Sequence, residues 1–192
     1  MRLTQIAQDI VRERLSEGMV AVDATAGNGH DTLFLAQSVG PSGIVYAIDI
    51  QSASIAATRK RIDSEGLLQR VVLIEASHED WAAILPAEQN KKIDAVMMNL
   101  GYLPGGDQSI KTNPQSTMKA IEEAFAWLAP GGILTILAYI GHPGGEEECN
   151  AVRIALLKNL SSPELLHEQP SRIGTNGPIL FWCCSVTNSP AG

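Results

Sequence analysis

Asp23, Asp49, His78, Asn99 and His142 each stand just beyond a short apolar run, and most have glycine close by. The first cluster, DATAGNGHDT, runs from Asp23 to Thr32 and joins a carboxylate to Gly27 and Gly29. Glycines let a backbone turn tightly and approach a ligand, and a helix starting there offers free N–H groups to an anionic part of it. A dinucleotide loop, G-x-G-x-x-G or its alanine variant, would need a small residue where Thr32 stands. Asp23 instead suits a ligand with a cationic amino group.

S-adenosylmethionine carries such a group on its aminoacyl end, and the other clusters suit the rest of it. Asp49 closes IVYAID, where a carboxylate accepts from ribose hydroxyls or caps the next helix. EASHED places Ser77 and His78 where an adenine edge would pass or where a helix begins. NLGYLPGGD follows IDAVMM, and its three glycines and proline force the chain out of any ladder. Asn99-Leu100-Gly101-Tyr102 resembles the Asp/Asn-Pro-Pro-Tyr signature of amino-group methyltransferases. An amide oxygen can hold an attacking amine while a ring packs on a flat base. The last cluster, YIGHPGGEEE, brings Gly141, Gly144 and Gly145 towards the same face, with His142 between glycine and proline.

Such residues need a scaffold that gathers them. Apolar positions at Leu3, Ile6, Ala7, Ile10, Val11 and Leu15 predict an opening helix over 3–17. Short β-rich runs follow at MVAVDA, IVYAID, VVLIEA, IDAVMMN and GILTILAYI, with helix-like segments near 30–39, 51–65, 78–85, 115–129 and 145–160. Buried strands alternating with helices mean parallel crossovers. LLHEQPSRI and GPILFWCCSV have no helix between them and predict a closing antiparallel hairpin. The expected fold is α/β: one domain over 1–192, a Rossmann-like class I methyltransferase with a seven-stranded, mostly parallel sheet, helices on both faces and frayed residues 187–192. Ligands of such sheets sit beyond the carboxyl ends of the strands, where the strand order reverses.

Composition bounds the rest. The chain has 192 residues, 45% of them hydrophobic, enough for a sizeable core. The apolar run at 133–140 is too short to span a bilayer and the start is polar, so no membrane or export role is expected. Three cysteines, two adjacent, suit neither a metal site nor a disulfide framework. A net charge of -7 argues against a broadly basic nucleic-acid surface. Local patches are available at Arg2, Arg12 and Arg14, at Arg59, Lys60 and Arg61, and at Lys111 and Lys119; a homodimer would pool two sets.

Together, DATAGNGHDTLFLA, AIDIQ, NLGYLPGGD and YIGHPGGEEE resemble the MnmM family, long labelled ribosomal RNA methylases and associated with tRNA wobble-uridine modification. The resemblance implies an S-adenosylmethionine-dependent enzyme acting on a tRNA anticodon arm. It would convert 5-aminomethyl-2-thiouridine to 5-methylaminomethyl-2-thiouridine, in the cytoplasm or, for a plant, the plastid stroma. Donor contacts are expected from Asp23, Thr25, Gly27, Asn28, Gly29, Asp31, Thr32, Asp49, Ile50, Gln51, Ser77, His78 and Asn99. Acceptor contacts are expected from Gly101, Tyr102, Leu103, Pro104, Gly141, His142 and Gly144. Asn99 would orient the amine, Tyr102 pack on the base, and Asp107 or His142 take the proton, with no metal. The sequence departs from the family at Gly174-Thr175-Asn176-Gly177-Pro178, where a late polar pair would stand. A methyltransferase of another RNA or a small amine, and a non-catalytic nucleotide-binding module, are the other readings of the same residues.

Overall fold

The computed structural model describes residues 2–90, 92–101, 112–171 and 177–185. Seven strands form one sheet: β1 Val20–Asp23, β2 Ile44–Asp49, β3 Val71–Glu75, β4 Ile93–Leu100, β5 Leu128–Ala138, β6 His167–Pro170 and β7 Ile179–Cys184. Their order is β3-β2-β1-β4-β5-β7-β6. The first five are parallel, and β7 pairs antiparallel with both β5 and β6. The chain leaves β1 towards β2 on one side and later returns to β4 on the other, so the switch point lies between β1 and β4. There Asp23 stands opposite Met97, two residues before Asn99.

Alternation along the central strands builds two cores. Val22, Val96, Met98, Leu134 and Ile136 face one layer, helices α4 Trp81–Ile84, α5 Pro114–Trp127 and α6 Gly145–Asn159. Ala21, Ala95, Met97, Ile133 and Leu137 face the other, made by α1 Leu3–Arg12 and α2 His30–Ser38, with α3 Ser52–Ser64 beside α2. Because both faces are covered, the strands read as nearly continuous apolar runs rather than alternating ones. Trp81, fully buried, meets Trp127 edge-on at 6.1 Å within the first layer. Among the described residues no helix is long and apolar enough to cross a membrane.

Three boundaries differ from expectation. The opening helix ends at Arg12, where the Arg14 N–H turns onto the Val11 carbonyl three residues back and tightens the last turn. Leu15 is buried all the same. The helix expected over 78–85 shrinks to Trp81–Ile84, since the Asp80 N–H closes a turn onto the Ser77 carbonyl. β5 starts at Leu128, inside the segment expected to be helical. Pro130 disfavours helix at the residue before it, and the ladder absorbs the irregularity between Ile93 and Ala95.

Candidate functional site

A cleft of about 1100 Å³ opens at the carboxyl ends of the strands, between the β1–α2 loop and the ends of β4 and β5. Asp23, fully buried, ends β1 and accepts from the Thr32 hydroxyl at 2.6 Å and the Thr25 N–H at 3.3 Å. Burial, then the nearby Asp31 carboxylate, raises its pKa to about 7 against the help of these two donors; Asp49 adds to the rise. The loop beyond it is pinned. The Ala24 N–H donates to the Met97 carbonyl and the Ala26 N–H to the Ile48 carbonyl, at 3.0 and 2.8 Å.

Gly29 shows why this loop has its sequence. It caps α2 at φ +76°, and a side chain there would place its Cβ 2.9 Å from the Thr58 Cα. The left-handed backbone favours glycine, and the close approach seats α2 against α3. The Thr58 hydroxyl donates to the Gly27 carbonyl at 3.1 Å, and Arg61 Nε to the Asn28 carbonyl at 2.7 Å. Arg61, proposed from sequence as part of a surface patch, thus braces the loop from behind.

Asp49 faces the same loop from the end of β2. Its carboxylate accepts from the backbone N–H of Gly27 and of Gln51, each at 2.9 Å. A carboxylate offers about four acceptor sites, so two remain for a ligand. α3 begins after Gln51 with no side-chain cap, and the cap reading therefore reduces to this one Asp49–Gln51 bond. His78 lines the cleft without capping α4, whose N-cap is Asp80. Burial holds His78 below the usual histidine range, partly offset by Glu79, Asp49 and Asp80, and its Nε2 has no hydrogen-bond partner among the described residues.

Asn99 stands on the other side of the switch point. Its backbone N–H donates to the Thr25 hydroxyl at 2.7 Å, tying β4 to the loop after β1. Its side-chain Nδ2 donates to Asp31 at 2.6 Å. Gly101 then leaves the strand at φ +135°, a backbone that favours glycine, and a Cβ there would lie 3.5 Å from His142 Nε2. Thr112 returns the chain: its hydroxyl accepts from the Gly101 N–H at 2.8 Å.

The cleft therefore gathers Thr25, Gly27, Asn28, Asp31, Asp49, Ile50, Gln51, Ser77, His78, Asn99, Gly101, Gly141 and His142 from the sequence-predicted set. Asp23, Gly29 and Thr32 lie beneath it as support, and Gly144 caps α6 at φ +88° away from the lining. Tyr102, Leu103, Pro104, Asp107 and Lys111 lie outside the described residues, as do Gly174, Thr175, Asn176 and residues 187–192. The lining also includes residues outside that set, among them Gln5 and Gln8 on α1, Tyr139 just past β5, and Arg2 at the N-cap of α1, which the sequence offered only as a surface cation. Tyr139 is 40% exposed, and burial of the rest of its ring together with Asp31 raises its pKa. It carried a signal, an aromatic ring at a strand end. Gln8 carried none, because only the tertiary fold lays α1 along the cleft. Of the expected cations, Arg12 pairs with Asp9 and Lys119 with Asp80.

The family model described as "Putative rRNA methylase" matches residues 45–175. A tRNA (mnm5s2U34)-methyltransferase of the Arabidopsis thaliana chloroplast is 38% identical over 159 residues, covering 79% of the chain; the chain spans 57% of that protein's length. A crystal structure titled "putative rRNA-methylase", from Clostridium thermocellum, superposes with a TM-score of 0.85 at 36% identity, covering 95% of this chain and 97% of that one. Another, titled "putative methyltransferase", from Streptococcus mutans in complex with SAH, gives 0.81 at 29% identity, covering 97% and 99%.

Proposed function

Because the chain belongs to the family described as "Putative rRNA methylase", we propose that it is an S-adenosylmethionine-dependent methyltransferase acting on a tRNA. Its reaction would N-methylate the aminomethyl group of a wobble 5-aminomethyl-2-thiouridine. The observation that carries this reading is the meeting of Asp49 and Asn99 in one cleft: a ribose-type carboxylate faces an amide suited to an amine nucleophile across the switch point. The Arabidopsis relative's name, which carries the methylaminomethyl nucleoside, and the SAH bound in the Streptococcus structure support this reading.

The residues fit the donor. Asp49 keeps acceptor capacity for ribose hydroxyls, and the neutral His78 offers Nε2 to an adenine edge. The buried Asp23, when ionised, favours the cationic amino end of the donor. When bound, the donor supplies an electrophilic methyl group on a sulfonium.

This chain's own residues would do the rest. An alkyl amine is mostly protonated at neutral pH and must lose that proton to expose its lone pair, and His142 or Asp107 would accept it. The Asn99 oxygen would hold an N–H of the amine so that the lone pair aims at the methyl carbon. As the N–C bond forms, the S–C bond breaks and S-adenosylhomocysteine leaves. Tyr102 or Tyr139 would pack on the base, since unpaired bases are read by stacking on aromatic rings. An anticodon-arm acceptor fits a chain without a broad basic surface, because only a local contact is needed; the exposed Arg2 on the cleft rim is the cation best placed for it.

The test is to incubate the protein with methyl-labelled donor and tRNA from cells lacking the modification, then digest to nucleosides. Label in 5-methylaminomethyl-2-thiouridine is expected. Label on a different nucleoside, or equal activity on the free aminomethyl nucleoside, would favour another RNA or a small amine instead.

A further inference from the structure

Asp31 is 8% exposed in the first turn of α2, and a different carboxamide faces each of its oxygens. Gln8 Nε2 donates to Oδ1 at 2.7 Å and Asn99 Nδ2 to Oδ2 at 2.6 Å. The three residues come from α1, α2 and β4, so the contact joins three elements around the cleft wall.

A carboxamide can turn over almost without changing shape, exchanging its donor end for its acceptor end. A carboxylate removes that freedom, because it accepts hydrogen bonds and donates none, and so faces only the NH2 end. With Nδ2 turned to Asp31, Asn99 must present Oδ1 elsewhere. We infer that Asp31 is a positioning residue, which locks the Asn99 amide so that its oxygen is available to an N–H of the acceptor amine, while Gln8 holds Asp31 in place. This inference rests on the proposed role of Asn99 as the amine clamp. It differs from the sequence-based expectation for Asp31, a direct contact to the donor.

The two roles of Asp31 separate in a double-mutant cycle on the full chain. Asp31→Asn keeps the shape but offers one oxygen and one NH2 group, so the carboxamide that meets the NH2 must turn over and Asn99 is no longer held to a single orientation. In single-turnover methylation of tRNA its rate should fall about ten- to a hundredfold, with tRNA half-saturation and S-adenosylhomocysteine affinity held within about twofold. In an Asn99→Ala background the same change should cost less than about twofold, since no amide is left to orient. Gln8→Ala should lower the rate a few-fold, on the order of threefold, and also fall silent in that background, which keeps the test available if Asp31→Asn melts early.

Equal rate losses with and without Asn99, or a loss of S-adenosylhomocysteine affinity matching the loss of rate, would mean that Asp31 acts on a ligand directly, and would overturn the inference while leaving the amine clamp intact. Full turnover by Asn99→Ala alone would instead overturn the clamp itself, and the positioning role with it.

Discussion

The two halves of the cleft are built differently. At the ends of β1 and β2 the polar groups are secured by the backbone or by buried neighbours: Asp49 by two N–H groups, Asp23 by Thr32, and the loop by Thr58 and Arg61. At the ends of β4 and β5 side chain holds side chain, Asn99 through Asp31, and the wall is more open, with Tyr139 40% exposed. A site for a small ligand of fixed shape gains from preorganisation, because little is left to order on binding. A site that admits one base of a macromolecule must leave an open wall.

The sharpest way to break this contrast is to loosen the rigid half. Gly29→Val combines a left-handed backbone with a Cβ 2.9 Å from the Thr58 Cα. It should cost about 3 kcal/mol or more in denaturant unfolding, the sum of strain and overpacking. Unchanged stability would mean that the loop is not seated on α3. Asp49→Ala is gentler and should weaken S-adenosylhomocysteine binding by about 1–3 kcal/mol in calorimetry while the fold survives. Unchanged affinity would remove Asp49 from the donor site.

Acidity probes the same half. The folded-state pKa of Asp23 is about 7, above the ordinary 3.8, so its contribution to folding is fully present below 3.8 and is lost as pH rises through 7. A cationic donor prefers the ionised form, so donor affinity should move the opposite way, weakening about tenfold from pH 8 to pH 6. Asp23→Asn should flatten that profile, and a flat profile in the wild type would place the positive charge of the donor elsewhere. The open half responds least to a single rim charge. Arg2→Glu should raise the apparent Michaelis constant for tRNA only a few-fold, and more at low salt, without moving that of the donor. A matching rise for the donor would put Arg2 in the wrong half.

The rigid half was also the more legible in the sequence. IVYAID is β2 to the residue, and Asp23, Gly27, Gly29 and Asp49 follow from local pattern, because a glycine loop between strand and helix is a short-range device. The open half depends on sheet order. That β5 lies beside β4, which brings Tyr139 and His142 to Gly101, and that α1 runs along the cleft, which brings Gln8 to Asp31, are long-range facts that no local spacing encodes. The same limit explains Arg61 and Lys119. Both look like free surface cations in the chain, and both are engaged in the fold.

The central claim is that one half of the cleft holds the donor and the other performs the chemistry on an amine. The most direct measurement titrates S-adenosylhomocysteine into Asn99→Ala and follows single-turnover methylation of tRNA on the same preparation with saturating donor. Donor affinity should stay within about twofold of wild type, while the rate falls on the order of 10²-fold or more, as when one preorganised polar group is lost. A variant that melts normally and methylates at the wild-type rate, or one that loses donor affinity as severely as Asp49→Ala, would contradict the division.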